Sequence, residues 1–233
     1  MIGSHLTKGL LIAPEASRWE VALEVLDKYS TRITPKFFTR RFQKQLEYSP
    51  AKFDTAWLGV PIVKKPQDCW VYQEMIWETK PQFLIEAGSY KGGSALFFAS
   101  LFDLIGEGRV VTIDVNDVAS HTLSHPRVTA LVGSSVSDEI VSQVRRIVGN
   151  QTAMVSLDSN HSKDHVLKEI ELYSEFVSLG KYLVVEDTGI RGRGPGEAAR
   201  EFLRHSKDFV PDGRREKFMV TSCRGSFLKR IRA

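Results

Sequence analysis

Cysteine is scarce in this chain. Cys69 and Cys223 are the only two among 233 residues, too few and too far apart for a disulfide framework or a metal knuckle. Such usage fits a reducing compartment, and a cytoplasmic location is expected. Long apolar runs are missing too: nowhere do about 20 apolar residues follow one another, as a membrane span would require. The opening residues MIGSHLTKGLLIAPEASRW lack a basic start followed by an apolar segment, so no secretory signal is expected. Internal repeats and low-complexity tracts are absent as well.

What is present suffices for one sizeable core, with 42% of the residues apolar. Charge is unevenly spread. Residues 1–65 hold 11 Lys/Arg against 6 Asp/Glu, residues 66–190 hold 9 against 17, and residues 191–233 hold 12 against 5. The basic ends raise nucleic-acid binding as a reading, loosely supported by Phe37, Phe38 and Phe42 beside Arg40, Arg41 and Lys44. The residues that form motifs lie instead in the acidic middle, which favours a small-molecule partner and no nucleic acid.

From about residue 82, strand-like runs alternate with helical ones. FLIEA, RVVTIDV, RVTALV, AMVSL and KYLVVED read as five strands. SALFFASLFDLI, VSDEIVSQVRRIVG and HVLKEIELYSEFVSL read as helices between them, the second with Val136, Ile140, Val144 and Ile147 as its apolar stripe. This alternation predicts a doubly wound, mostly parallel α/β sheet of Rossmann-like type. After Asp187 the loop GIRGRGPG reads as a lid or an ordinary solvated loop, followed by a helix with Pro195 in its first turn. REKFMVTSCRGSFLKRI reads as an antiparallel hairpin turning near Arg224-Gly225. ASRWEVALEVLDKYS and DCWVYQEMIWETK read as helices, the latter with Trp70, Val71, Met75 and Ile76 on its apolar side, and the stretch between them as irregular. Residues 1–66 are accordingly expected to be a helical and irregular N-terminal extension, and residues 67–233 the main domain.

The turn EAGSYKGGS opens the first helix after the first strand, where free backbone N–H groups and the helix dipole face a ligand. Its glycines do not follow the G-x-G-x-x-G dinucleotide spacing. Glu86, two residues before Gly88, would repel a pyrophosphate and attract the ammonium of an aminoacyl group. Asp114, 26 residues beyond Gly88 at the end of the second strand, suits ribose hydroxyls. Together they favour S-adenosylmethionine over NAD. Its expected contacts are Glu86, Gly88, Ser89, Tyr90, Gly93, Ser94, Asp114, Gly133, Ser134, Ser135 and Asp158.

In such a sheet, ligands sit beyond the carboxyl ends of the strands where strand order reverses. Strands four and five end in Asp158 and in the pair Glu186-Asp187. Three carboxylates that close cannot all ionise unless a cation holds them, and an oxygen-only set suits Mg²⁺ better than Mn²⁺ or Ca²⁺. His161, three residues after Asp158, is placed either as a fourth ligand or as a general base, and the chemistry of a metal-acidified hydroxyl favours the base.

WLGVPIVKKPQDCWVYQEMIWETKP and FLIEAGSYKGGSALFFA, then LDSNH and VVEDTGI, carry a resemblance. They resemble the family named for a cephalosporin hydroxylase, which includes rhamnosyl O-methyltransferases. The likeness runs from about residue 55 to 231 and takes in GPGEAAREFL and EKFMVTSCRGSFLKRI. The D-x-x-H element followed 25 residues later by E-D also resembles the site of macrolide-sugar O-methyltransferases. The resemblance implies a class I methyltransferase fold, Mg²⁺ on Asp158, Glu186 and Asp187, His161 as base, Trp57 and Gly59 walling the acceptor pocket, and a homo-oligomer. Some members carry an acidic residue where this chain has Ser159. The expected activity is S-adenosylmethionine- and Mg²⁺-dependent methylation of a small-molecule hydroxyl with an adjacent oxygen. A sugar diol of a glycosylated natural product or glycolipid, or a catechol, meets that description. The alternatives are an RNA methyltransferase, a non-catalytic protein that binds the same cofactors and, more distantly, a metal-dependent hydrolase.

Overall fold

Seven strands build the sheet that the alternating pattern predicts. The computed structural model describes residues 35–117, 123–189 and 194–232. The helix expected in ASRWEVALEVLDKYS, the side chains of Phe37, Phe38 and Arg40, and Arg191 and Arg193 of the arginine loop lie outside the described residues. The chain divides into two units, residues 1–48 and 49–233. In the first, the described part is a single helix, α1 (Pro35–Tyr48). The second begins with a short antiparallel hairpin, β1 (Ala56–Trp57) and β2 (Val60–Pro61).

The chain then enters α2 (Pro66–Thr79), started by Pro66 at its first position and closed by Lys80 in the left-handed region. Strand β3 (Phe83–Ala87) leads into α3 (Gly93–Ile105), β4 (Arg109–Asp114) and β5 (Val128–Val132). Helix α4 (Asp138–Val148) follows, capped by the Ser137 hydroxyl, which accepts from the Ile140 amide. Then come β6 (Ala153–Leu157), α5 (Lys163–Tyr173), β7 (Tyr182–Val185) and α6 (Gly194–His205), and last β8 (Phe209–Pro211) and β9 (Phe227–Arg230). The strand order is β5-β4-β3-β6-β7-β9-β8. The first five are parallel, and β9 runs antiparallel to both β7 and β8. Strand order reverses between β3 and β6, which places a ligand crevice beyond Ala87 and Leu157.

Alternate residues of the strands feed two cores. Phe83, Ile85, Val111, Val155 and Leu183 pack with Ile140, Val144, Ile170 and Ala198 of α4, α5 and α6. Leu84, Val110, Met154 and Val184 pack with Val71, Tyr72, Met75, Phe98 and Phe102 of α2 and α3.

Two expectations need correction. Trp70 is not on the apolar side of its helix: it is 58% exposed, and Tyr72 takes its place in the core. The C-terminal antiparallel pair forms, but β9 pairs with Phe209–Pro211 and does not fold back at Arg224-Gly225. The segment expected to be its partner is bound elsewhere. Asp68 of α2 accepts from the Thr221 hydroxyl at 2.6 Å and from the Ser222 amide at 2.8 Å. Thr188 donates to the Arg224 carbonyl at 2.9 Å.

Candidate active site

Glu186 and Asp187 are neighbours in sequence and diverge in space. The Glu186 amide still donates to the Leu157 carbonyl at 2.9 Å, so Glu186 keeps strand geometry and points into the α2/α3 core. There it is buried, and its Oε1 accepts from the Tyr72 hydroxyl at 2.7 Å, from the Ser156 hydroxyl at 3.2 Å and from the Lys64 ammonium. Asp187 takes a left-handed backbone, φ +56°, which is tolerated by Asp more than by most side chains but is still unfavourable. The turn sends its carboxylate to the rim of the sheet.

At the rim, Asp187 Oδ2 lies 3.5 Å from His161 Nε2, and Asp158 Oδ1 lies 3.8 Å from the same nitrogen. Ligand atoms of Asp158, His161 and Asp187 all fall within 4.8 Å of one another. No helical turn brings Asp158 and His161 together, because α5 starts only at Lys163; the loop after β6 delivers both. The Asp158 amide donates to the Ala87 carbonyl at 2.8 Å. On the other side of the crevice a Cβ on Gly88 would stand 2.0 Å from the Asp158 carbonyl oxygen. No larger residue fits there while the two loops touch.

Asp158 also faces inward, its Oδ2 3.4 Å from Lys64 Nζ. It thus joins an outer group, His161 and Asp187, to an inner one, Lys64 and Glu186. Burial and the Glu186 charge push the Asp158 carboxyl up from its ordinary range, against the pull of Lys64 and His161. Burial alone would lower the Lys64 pKa; Glu186, Asp158 and Glu86 override it and hold the ammonium well above its ordinary value. The two carboxylates at this spacing fit a divalent cation that prefers oxygen donors, and the imidazole beside them suits such a site as a base and not as a ligand.

The cofactor side is built on the neighbouring strands. Asp114 accepts from the Tyr90 amide at 2.9 Å and from the Asn116 amide at 2.9 Å, so its carboxylate is fixed at the end of β4. Tyr90 itself is left-handed, φ +50°, with an exposed ring. Glu86 is wholly buried and accepts from Thr112 at 2.6 Å through Oε2. Burial raises its pKa to about 7, opposed by Lys64 and the Ser94 and Thr112 hydroxyls. Glu86 Oε1 and the Ser89 hydroxyl are buried without a hydrogen-bond partner in the described structure. Two orphaned polar atoms below the glycine turn fit a ligand bearing an ammonium group. Gly93 has a different neighbour: a Cβ there would meet the Pro61 carbonyl oxygen at 2.2 Å, so the β1–β2 hairpin covers it. Ser94 is buried beneath the turn.

Gly133, Ser134 and Ser135 follow β5, the next strand along. The Ser135 hydroxyl donates to Glu169 of α5, and so does the Ser159 hydroxyl. Glu169 is fully buried, its pKa raised mainly by that burial. One carboxylate therefore holds the loop after β5 and the loop after β6 together. Trp57, by contrast, is bound inward, its indole N–H donating to Ser100 at 3.0 Å and its ring edge-on to Phe97 at 4.9 Å; Gly59 is exposed.

Sequence reasoning missed Lys64, Tyr72, Ser156, Thr112 and Glu169. For two of them, Thr112 and Ser156, a signal existed beside Glu86. Thr112, Glu86 and Ser156 interrupt otherwise apolar strands at directly paired positions, Glu86 opposite Thr112 on one side and Ser156 on the other. Lys64 lies 122 residues from Glu186, with no local mark of the contact.

The family model described as Rhamnosyl O-methyltransferase/CmcI matches residues 50–231. The Rhamnosyl O-methyltransferase of Mycobacterium leprae (strain TN) is 35% identical over 193 residues, 76% of this chain and 83% of that protein. Its namesake in Mycobacterium tuberculosis (strain ATCC 25618 / H37Rv) is 35% identical over 191 residues, 76% and 78% of the two chains. Among solved structures, the CmcI-N160 apo-structure superposes with a TM-score of 0.62 at 21% identity over 80% of this chain and 79% of that one. The cmcI-D160 Mg-SAM structure gives 0.61 at 19% over 81% and 84%. At such identities the structural likeness speaks for the fold, a class I methyltransferase sheet. The family rests on the sequence comparisons, which decide it: this chain belongs to the Rhamnosyl O-methyltransferase/CmcI family of O-methyltransferases.

Proposed function

We propose that the chain methylates a hydroxyl of a small molecule that carries a second oxygen beside it, using S-adenosylmethionine and Mg²⁺. A sugar diol and a catechol both have that chemistry, and the rhamnosyl relatives favour the sugar. The observation that carries the reading is the convergence of Asp158, His161 and Asp187 at the crevice, beside a glycine turn with orphaned acceptors beneath it.

Asp158, Glu186 and Asp187 form the proposed carboxylate set for the cation; Asp158 and Asp187 converge with His161 at the rim, while Glu186 lies inward of that group, bound to Lys64. Bound there, Mg²⁺ supplies the positive charge that makes an acceptor hydroxyl more acidic. Glu86 and Ser89, each with a buried oxygen that lacks a partner among the described residues, would hold the cofactor's ammonium end, Asp114 its ribose, and Gly133 to Ser135 the far side. S-adenosylmethionine supplies the electrophilic methyl group. His161, 41% exposed at the mouth of the crevice, takes the hydroxyl proton at Nε2, where the two aspartates stabilise the imidazolium that forms. Asp158 and Asp187 in turn fix the ring, so the rate gain comes chiefly from orientation and charge set in advance. Among the described residues no helix is long and apolar enough to cross a membrane. The resemblance also carries a homo-oligomer, which light scattering on the purified chain tests.

The deciding experiment is calorimetric titration of S-adenosylmethionine with and without Mg²⁺, followed by mass spectrometry of sugar diols and catechols incubated with both. Micromolar cofactor binding and a gain of one methyl group on an acceptor are expected. Absence of S-adenosylmethionine binding under both conditions overturns the reading.

A further inference from the structure

The carboxylates proposed for the cation already have a cation. Lys64 Nζ is bonded to Glu186 and stands 3.4 Å from Asp158, with its side chain only 3% exposed. It sits over two aromatic faces, 5.6 Å from the Tyr72 centroid and 6.0 Å from that of Phe98. Few water molecules can screen it there, so its charge acts on both carboxylates more strongly than it would at the surface.

The backbone that delivers Lys64 has little freedom. Just before it, Pro61 is wedged against Gly93, and Ile62 is buried with its amide donating to the Thr55 carbonyl at 3.0 Å. Just after it, Lys65 donates to the Ser222 hydroxyl at 2.6 Å, and α2 begins at Pro66. The ammonium can leave Glu186 only by side-chain rotation within a walled space. An isolated buried ion pair is a poor device for stability, because desolvation offsets most of the attraction. Its placement between two proposed metal ligands gives it a different task.

We propose that Lys64 is a built-in competitor for the divalent cation: it occupies Glu186 and the inner oxygen of Asp158, keeps the fold independent of metal, and weakens metal binding so that the ion exchanges. The proposal rests on the metal reading above. It makes Lys64 a positioning residue whose removal improves one property and damages another. Without the ammonium, Glu86, Asp158 and Glu186 lose their shared counter-ion; the metal-free chain loses stability and a divalent cation gains affinity. A lysine that merely holds the fold together would weaken metal binding on removal.

The test is calorimetry of Mg²⁺ and of Mn²⁺, without cofactor or acceptor, on wild type, Lys64→Gln, Lys64→Met and Lys64→Arg. Affinity at least about tenfold tighter in Lys64→Gln is expected from losing a unit charge so near. Lys64→Arg should stay within a few-fold of wild type. Melting temperature supplies a second readout. The metal-free Gln and Met variants should melt lower than wild type and regain more on adding Mn²⁺. If Lys64→Met folds only with cation present, that is the same result at its limit. Unchanged or weaker affinity in folded Lys64→Gln, with wild type binding, overturns the role given to Lys64. Absence of binding in every variant overturns the metal reading itself.

Discussion

The two faces of one sheet are unlike. On the α4/α5/α6 side, strands β3, β4, β6 and β7 contribute a dry apolar layer, Ile85, Val111, Val155 and Leu183 among it. On the α2/α3 side, the next residues along the same strands include Glu86, Thr112 and Ser156, with Tyr72 and Lys64 reaching them. Both faces hold an apolar core, in which each buried aliphatic side chain contributes about 1.5–3 kcal/mol. The α2/α3 face adds a buried polar network across its strands, whose net worth is small when complete and whose cost is high when broken.

The largest effect that sharpens this contrast belongs to the rim. His161→Ala should lower kcat/KM by about 10²- to 10⁴-fold while S-adenosylmethionine affinity by calorimetry stays within a few-fold. A parallel loss of cofactor binding would place His161 in the binding machinery and remove it as a base.

Val155→Ser tests the dry face, where a hydroxyl finds no built partner, and should cost about 2–4 kcal/mol by urea unfolding. A cost near zero would mean that the two faces are interchangeable.

Glu86→Gln reports on the polar face through pH. The folded-state pKa of Glu86 is near 7, above the ordinary 4.5. A raised carboxyl binds its proton more tightly folded than unfolded. The stability it adds is therefore complete below about pH 4.5 and lost as pH rises to about 7. The Gln variant does not titrate, so its stability relative to wild type should rise by about 3 kcal/mol between about pH 4.5 and pH 8. Cofactor affinity should fall about tenfold in the same variant through loss of one charged contact. Parallel stability profiles at pH 5 and pH 8 would show that Glu86 is not buried in this way.

Ser156→Ala is the mildest, about 1 kcal/mol, because Tyr72 keeps its bond to Glu186. A cost as large as that of Val155→Ser would erase the distinction between the faces.

Much of this molecule was legible along the chain. Each strand of the parallel sheet is a short apolar run closed by a glycine or a carboxylate, and period alone locates it. The candidate aspartates and His161 were legible because strand ends are where parallel sheets place their chemistry. Other features were not, and the reasons are physical. Trp70 and Tyr72 are both aromatic, and only the packing of α2 decides which is buried. The hairpin expected at Arg224-Gly225 gave way to bonds from Asp68, 153 residues away from Thr221. The divergence of Glu186 from Asp187 was not legible, because the strand has ended and a left-handed backbone at Asp187 sends its carboxylate to the rim; their adjacency drew attention to what they share instead.

The bond from Ser159 to Glu169 ties the loop after β6 to a buried carboxylate, with the His165 imidazole 3.5 Å from the same oxygen. A carboxylate in place of the Ser159 hydroxyl would put two acids side by side, and two acids that close do not both ionise freely. The tie between the loops after β5 and β6, which a hydroxyl now makes with no charge of its own, would then come and go with acidity: a clasp would become a pH-sensitive latch.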